Sequence, residues 1–196
     1  TDDNWARTLG REQYDWLVRT LEASKSKYTF VFIHHLVGGL GRAARGGAES
    51  SVYFEWGGKN ADGSAGFSER RAGWAMPIHD LLVKHRVSAV FHGHDHLYVR
   101  GERDGLVYQC VPQPGNVAGG TRSAEEYGYK DGTILGSPGY VRVRVAPDGA
   151  TVEFVRSALL EGEQGAEQPA RRGRGGNREA EANGTVVHSY TIAPRT

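Results

Sequence analysis

The run Phe91-His92-Gly93-His94-Asp95-His96-Leu97-Tyr98 constrains this chain more than any other stretch of it. It sets three imidazoles and a carboxylate within five positions, directly after the apolar run Val87-Ser88-Ala89-Val90-Phe91. That run is short and rich in β-branched and aromatic residues, which predicts a buried strand. Histidines placed just after it fall at the strand's carboxyl end, where open α/β sheets keep their binding sites. Neutral imidazole is the commonest protein metal ligand, and Gly93 lets the backbone turn so that neighbouring rings converge. A polar turn of merely solvated histidines is the competing reading. It suits a lone histidine better than a cluster of this density.

A second strand shares the pattern. Tyr28-Thr29-Phe30-Val31-Phe32-Ile33 is almost wholly apolar and ends in His34-His35. It reads as a central parallel strand buried on both faces. Before it, Tyr14, Leu17, Val18 and Leu21 repeat at helical spacing, which predicts an amphipathic helix over 11–24 with Thr8 as its N-cap. A second helix is predicted over 74–86, with Pro77 in its first turn and Ile78, Leu81 and Leu82 on its apolar face. His79 and His85 read there as surface or cap residues. Two buried strands ending in histidine, interleaved with helices, predict an α/β layered fold.

Between them, residues 38–73 resist assignment to regular structure. A connection this long is usually functional or disordered, and it leaves from the His34 end of a strand, so it reads as a lid or specificity loop. Its Arg42, Arg45, Arg70 and Arg71 could receive an anionic substrate, against the ordinary alternative of solvated surface arginines. Tyr98, just beyond the histidine cluster, is grouped with them at the substrate-facing mouth.

Beyond the cluster, strands are predicted at 106–111, 140–145 and 151–156. The last two alternate apolar and polar residues, as in a hairpin with one wet face, and are joined by 146–150. A glycine-, tyrosine- and serine-bearing loop, 112–139, lies near enough in sequence to line the same mouth. Residues 161–181 carry no aliphatic side chain larger than alanine and read as a disordered or mobile insertion. A closing strand follows over 185–192, within a terminal segment 182–196.

Composition narrows the classes. With 196 residues, 38% of them hydrophobic, the chain can bury one sizeable core. A net charge of +1 gives no reason to expect nucleic acid or an acidic membrane surface as partner. The short tract Arg171-Arg172-Gly173-Arg174-Gly175-Gly176, offset by nearby glutamates, does not alter that. Cys110 is the only cysteine, which excludes an intrachain disulfide and a cysteine-based zinc site. No apolar stretch approaches the roughly 18 residues that a membrane span needs. The chain opens on Thr1 with nothing like a signal peptide, so a processed, cloned or truncated piece is expected and the compartment is left open.

Gly93-His94-Asp95-His96 resembles the Gly-His-x-His motif of the calcineurin-like metallophosphoesterases, which include the purple acid phosphatases. Val31-Phe32-Ile33-His34-His35 resembles the same family's strand-plus-histidine motif, and Gln13-Tyr14-Asp15-Trp16-Leu17 its preceding helix. The order of elements agrees over roughly 9–156. The resemblance implies a four-layer β-sandwich flanked by helices, with two divalent or trivalent metal ions (Fe, Zn or Mn) at the strand ends. It implies that His34 and His94 bind one ion and His96 the other, with His35, His92 and Asp95 orienting those rings. Leu36 stands where the family often has proline, so His34 and His35 both stay open for the first position. A secreted or periplasmic setting is compatible with the resemblance.

The family's Asp-x-His, Gly-Asp-x-x-Asp and Gly-Asn-His-Asp/Glu motifs, all upstream in that pattern, do not occur here. The resemblance therefore implies the C-terminal half of such a domain, over 1–160, with the fold incomplete and the N-terminal half expected as part of a parent chain or as a second chain. Three imidazoles divided between two ions fall short of the four or so ligands of an ordinary catalytic site. The expected function is hydrolysis of phosphomonoesters or phosphodiesters by the complete protein. Two alternatives stand beside it: a non-catalytic metal-binding or interaction module, and a mononuclear zinc hydrolase using His92, His94 and His96. The last is poorer, because alternate positions in so short a turn do not easily reach one tetrahedral ion.

Overall fold

The structure is a computed structural model that describes residues 4–115, 119–157 and 182–195. It is a mixed α/β arrangement built on two sheets. Strands β1 (Phe30–Ile33), β2 (Ala89–His92), β3 (Leu97–Arg103), β4 (Leu106–Cys110) and β5 (Thr133–Gly136) form the larger sheet, in the order β1-β2-β4-β3-β5. β1, β2 and β4 run parallel, and β3 is antiparallel to both β4 and β5. The smaller sheet is an antiparallel meander of β6 (Gly139–Ala146), β7 (Gly149–Arg156) and β8 (Val186–Ile192).

Side-chain alternation assigns each face of the larger sheet. Val31, Ile33, Val90, Leu106 and Tyr108 point to the helical side, against Tyr14, Leu17, Val18 and Leu21 of α1 (Arg11–Ala23). Trp56 of α2 (Phe54–Gly57) belongs to the same core, as do Leu81 and Leu82 of α4 (Ile78–Lys84). Phe30, Ala89, Phe91 and Val107 point the other way and meet Val152, Val141, Val143, Tyr190 and Ile192 of the smaller sheet. The described residues thus make three layers, helices on the larger sheet on the smaller sheet, rather than the four of the implied sandwich.

Helix α1 matches its sequence pattern. Its stripe is buried or half-buried, and Trp16, off the stripe, is exposed. Thr8 is not the N-cap: Gly10 holds that position with φ 76°, and the Thr8 hydroxyl accepts a bond from the Gly10 amide instead. The second predicted helix starts four residues late, at Ile78, because Pro77 sits in extended conformation (ψ 153°) as its N-cap. Residues 74–76 instead pack on α1, where the Tyr14 ring stacks on Trp74 at 4.0 Å and its hydroxyl donates to the Met76 carbonyl.

The 38–73 segment is built into the core. It contains a 3-10 turn (Ser50–Val52), α2 and α3 (Phe67–Arg70), and buries Ala44, Ser51, Phe54, Glu55 and Trp56. Trp56 Nε1 donates to the Tyr108 hydroxyl at 2.8 Å, tying the segment to β4. Helices of a single turn leave no periodicity to read, which is why the sequence shows none.

Two strands escaped the sequence pattern. β3 is interrupted by Arg100-Gly101-Glu102-Arg103, and β5 is four residues inside a glycine-rich loop. The usable signal was Asp104-Gly105: both residues have positive φ (51° and 77°), which is the type I′ hairpin turn that an Asp-Gly pair favours. The β6–β7 hairpin is as predicted, with its turn tightened to Pro147-Asp148 and its wet face carrying Arg142 and Arg144 on Glu153 at 2.8 and 2.7 Å. β8 follows one residue later than expected. The predicted 161–181 insertion lies outside the described residues.

Among the described residues β1 does not occupy the central position that its sequence predicts. It is the edge of the larger sheet there, and Phe32 is 75% exposed. β8 lies over β3 and β4, through Tyr98 OH to His188 Nδ1 at 2.7 Å and Tyr190 OH to Gln109 at 3.0 Å. The Lys27 ammonium, just before β1, donates to the Pro147 carbonyl in the β6–β7 turn. Phe32 on β1 and Val145 on β6 are left exposed.

His79 is buried in the helical layer rather than on the surface. Its Nδ1 meets the Tyr108 hydroxyl at 2.7 Å and its Nε2 the Asp104 carboxylate at 2.9 Å. Burial holds its pKa below the ordinary imidazole range, and the Asp104 bond works against that shift. The unfolded chain takes up this proton near about pH 6.5 and the folded protein only at lower pH. The contribution to stability is therefore complete above about pH 6.5 and is lost as pH falls through the folded value. In urea unfolding followed across this range, His79→Gln is expected to flatten the acid decline and Asp104→Asn to steepen it. A His79→Gln profile parallel to the wild type would contradict this.

Candidate functional site

The parallel register of β1 and β2 pairs Ile33 with His92, so the residues that follow, His34 and Gly93, emerge side by side. The Gly93 amide donates to the His34 carbonyl at 2.9 Å, which extends the ladder one step past the strands. The next turn brings His94 back over His34. His34 Nε2 and His94 Nδ1 lie 3.1 Å apart, although sixty positions separate them in sequence. His35 is the third member, its ring centroid 5.5 Å from that of His34 and 5.2 Å from that of His94.

Two nitrogens bound to one ion at about 2.0–2.1 Å sit roughly 2.8–3.4 Å apart for bond angles from right to tetrahedral. The His34–His94 separation of 3.1 Å fits that requirement. Burial lowers the pKa of His94, helped by the Arg45 guanidinium, and burial also lowers that of His35, helped by His94. Both rings are thereby favoured in the neutral form that a metal needs. The fit extends to a pair and no further. Among the described residues, no group of three or more His, Cys, Asp or Glu side chains is placed to hold a metal ion.

The other predicted residues divide. His96 is exposed, and its carbonyl accepts from Ser137 Oγ at 2.7 Å. His92 is 2% exposed on β2, with neither ring nitrogen hydrogen-bonded. Desolvation lowers its pKa to about 4, so it stays neutral. It sits against Gly47, where an added Cβ would lie 3.3 Å from His92 Nε2 and 2.9 Å from the Tyr129 ring. The buried Asp95 carboxylate orients no imidazole. It accepts from Arg45 Nη1 at 3.1 Å, the Gly46 amide at 2.9 Å and the Tyr129 hydroxyl at 2.7 Å.

Of the arginines grouped as substrate-facing, Arg45 reaches the cluster. One guanidinium nitrogen is engaged by Asp95, and its Cζ lies 4.1 Å from the Tyr127 ring centroid. Arg71 is turned into the 38–73 core, paired at 2.5 Å with Glu55, whose side chain is fully buried. Arg42 and Arg70 are exposed. Tyr98, grouped with them, is fully buried between the sheets, stacked on Phe154 at 4.4 Å. Gly46, Gly47, Tyr127 and Tyr129 were missed. The Gly46-Gly47 pair, which permits close approach of backbone to the histidine turn, left a trace in the sequence, and the two tyrosines lie in the 112–139 loop placed near the same mouth.

No protein-family model matches the chain, and no curated protein matches it at a significant level. The site's chemistry is therefore read from its own residues.

Because Glu55 also accepts the Leu9 amide at 2.8 Å, Arg71 neutralises a buried carboxylate that anchors the chain before α1. Arg71→Ala is expected to lower unfolding free energy by about 3 kcal/mol or more, the cost of leaving a buried charge unpaired. An Arg71→Ala protein of wild-type stability would return Arg71 to the solvent-facing group.

Proposed function

We propose that this chain contributes part of the metal site of a metallophosphoesterase, which hydrolyses phosphomonoesters or phosphodiesters as a complete domain. The observation that carries the reading is the 3.1 Å approach of His34 Nε2 to His94 Nδ1 at the level carboxyl ends of two parallel strands. In this reading His34 and His94 hold one ion, His96 contributes to a second, and His35 lies beside the pair. When bound, such ions supply Lewis-acid polarisation of a phosphoryl oxygen. The chain's own residues do the remaining work: the strand ends fix the imidazoles, Asp95 holds the turn, and Arg45 lies on the same rim, where its charge suits an anionic substrate.

Two observations support a domain completed by another segment. A pair of ligands is short of a catalytic coordination sphere. The free edge of β1 borders an apolar groove of about 390 Å³ that runs from Phe32 and Phe91 to His34 and Val111. An exposed parallel edge with an aromatic side chain is a surface that another strand would cover. We assign that strand to an N-terminal half of the same calcineurin-like fold, carried by a parent chain or by a second chain. A non-catalytic module that keeps the fold is the second reading, favoured by the same shortage of ligands. Coding sequence upstream that contains the three missing motifs selects the first reading over the second.

With an aryl phosphate and Mn²⁺, Zn²⁺ or Fe supplied, the isolated chain is expected to show little turnover, and the complete protein turnover that His94→Ala abolishes. Robust turnover by the isolated chain, lost in His94→Ala, would show it to be self-sufficient. A complete protein inert toward phosphoesters would remove the enzymatic reading.

A further inference from the structure

We propose that the cleft at the amino ends of β1 and β2 is an anion-binding site, separate from the histidines, that takes a small ligand carrying phosphoryl groups. The carboxyl ends of α1 and α4 meet there with the segment before β1 and with Arg195, around a cavity of about 280 Å³. Because β1 and β2 run parallel, their histidines leave from the opposite end of the sheet. Lys25, Lys27, Lys84, Arg86 and Arg195 line the cleft, and Glu22 is the one carboxylate among the described residues that line it. The volume lies near the lower bound of small-ligand sites, about 300 Å³, which suits a compact anion better than a nucleic-acid strand or a membrane face.

Cations at helix carboxyl ends have an ordinary structural role, since each end carries a partial negative charge of about one half. Two such ends and Glu22 do not use up this cluster. Lys27 donates to the Pro147 carbonyl and Arg86 has an interaction of its own, so both are set aside. Lys25, Lys84 and Arg195 alone still outweigh Glu22 and the two helix ends. Arg195 is the fixed member. Its guanidinium donates to the His85 carbonyl at 2.7 Å, the Ser26 carbonyl at 2.8 Å, and the hydroxyls of Thr29 and Ser24 at 2.8 and 3.2 Å. Its amide donates to the Lys27 carbonyl at 2.9 Å. Every one of these acceptors is neutral, so the charge is held in place without being cancelled. A guanidinium already ordered in this way loses little further freedom when an anion arrives.

His85 gives a second, independent sign. It lines the cleft, and its Nε2 is shielded from solvent with no hydrogen-bond partner. A buried polar atom left unsatisfied is costly. With the proton on Nε2, the ring donates to a phosphoryl oxygen seated in the cleft, the acceptor that the described residues do not supply.

The test uses pyrophosphate, titrated by calorimetry into the complete protein in metal-depleted buffer; all of the cleft's lining lies in this chain. The wild type is expected to bind it, with affinity that falls as salt is raised. Lys25→Gln combined with Lys84→Gln is expected to weaken binding by about tenfold, the loss of two charge-assisted contacts. Both lysines are exposed, so this variant keeps the fold. Lys59→Gln combined with Lys130→Gln removes the same charge from exposed positions outside the cleft and should bind as the wild type does. Equal weakening by the two pairs would reduce the effect to net charge and overturn the site. A wild type that does not bind pyrophosphate, or a cleft variant that binds it unchanged, would also overturn it. So would binding confined to vesicles of phosphatidylserine and phosphatidylcholine and lost in the cleft variant, which would make the cluster a membrane-facing patch.

Discussion

The parallel pairing of β1 with β2 is the constraint on which the rest of this structure depends. Its register places Ile33 opposite His92, and the level exit of His34 and Gly93 follows from that alignment. A slip of one residue would reverse the faces of β1, sending Phe30 and Phe32 toward the helices and Val31 and Ile33 toward the smaller sheet. It would also remove the level exit that brings His34 and His94 within 3.1 Å. The register is held by burial on both sides, with Val31, Ile33 and Val90 in one core and Phe30, Ala89 and Phe91 in the other. The site is thus a by-product of core packing at two strand ends.

Around that frame the polar interactions fall into two kinds. His79 with Tyr108, Trp56 and Asp104, and Tyr98 with His188, satisfy buried donors and acceptors where layers meet. An unpaired buried polar group is costly, so these networks fix how helices and sheets seat on one another. Asp95 belongs to the second kind. Its partners come from loops, and they hold a turn in backbone geometry that its own residues disfavour.

Much of the larger architecture was legible in the sequence, because it rests on period and composition. The α1 stripe, the two strands that end in histidine and the β6–β7 hairpin follow directly from spacing. What escaped was set by contacts between distant segments. Nothing near Arg71 announces that it answers Glu55, and nothing near Tyr98 announces that Phe154 and His188 enclose it. Among the described residues β1 lies at an edge rather than at the centre its sequence predicts, for a related reason. An apolar run reads as buried on both faces whether its neighbour lies within the described chain or must be supplied by another segment. At the site, the residue types were readable from the motifs, whereas the bonds that Asp95 accepts from Arg45, Gly46 and Tyr129 needed the loops in place.

We propose that His34 and His94 together ligate one ion and that His92 does not. It is tested most directly by the imidazole ¹⁵N resonances of the chain, recorded before and after addition of Zn²⁺. The account predicts that His34 Nε2 and His94 Nδ1 move together into the metal-bound range at the same stoichiometry, while both nitrogens of His92 stay where they were. Movement of His92 in place of His34, or no movement of either member of the pair, would contradict it.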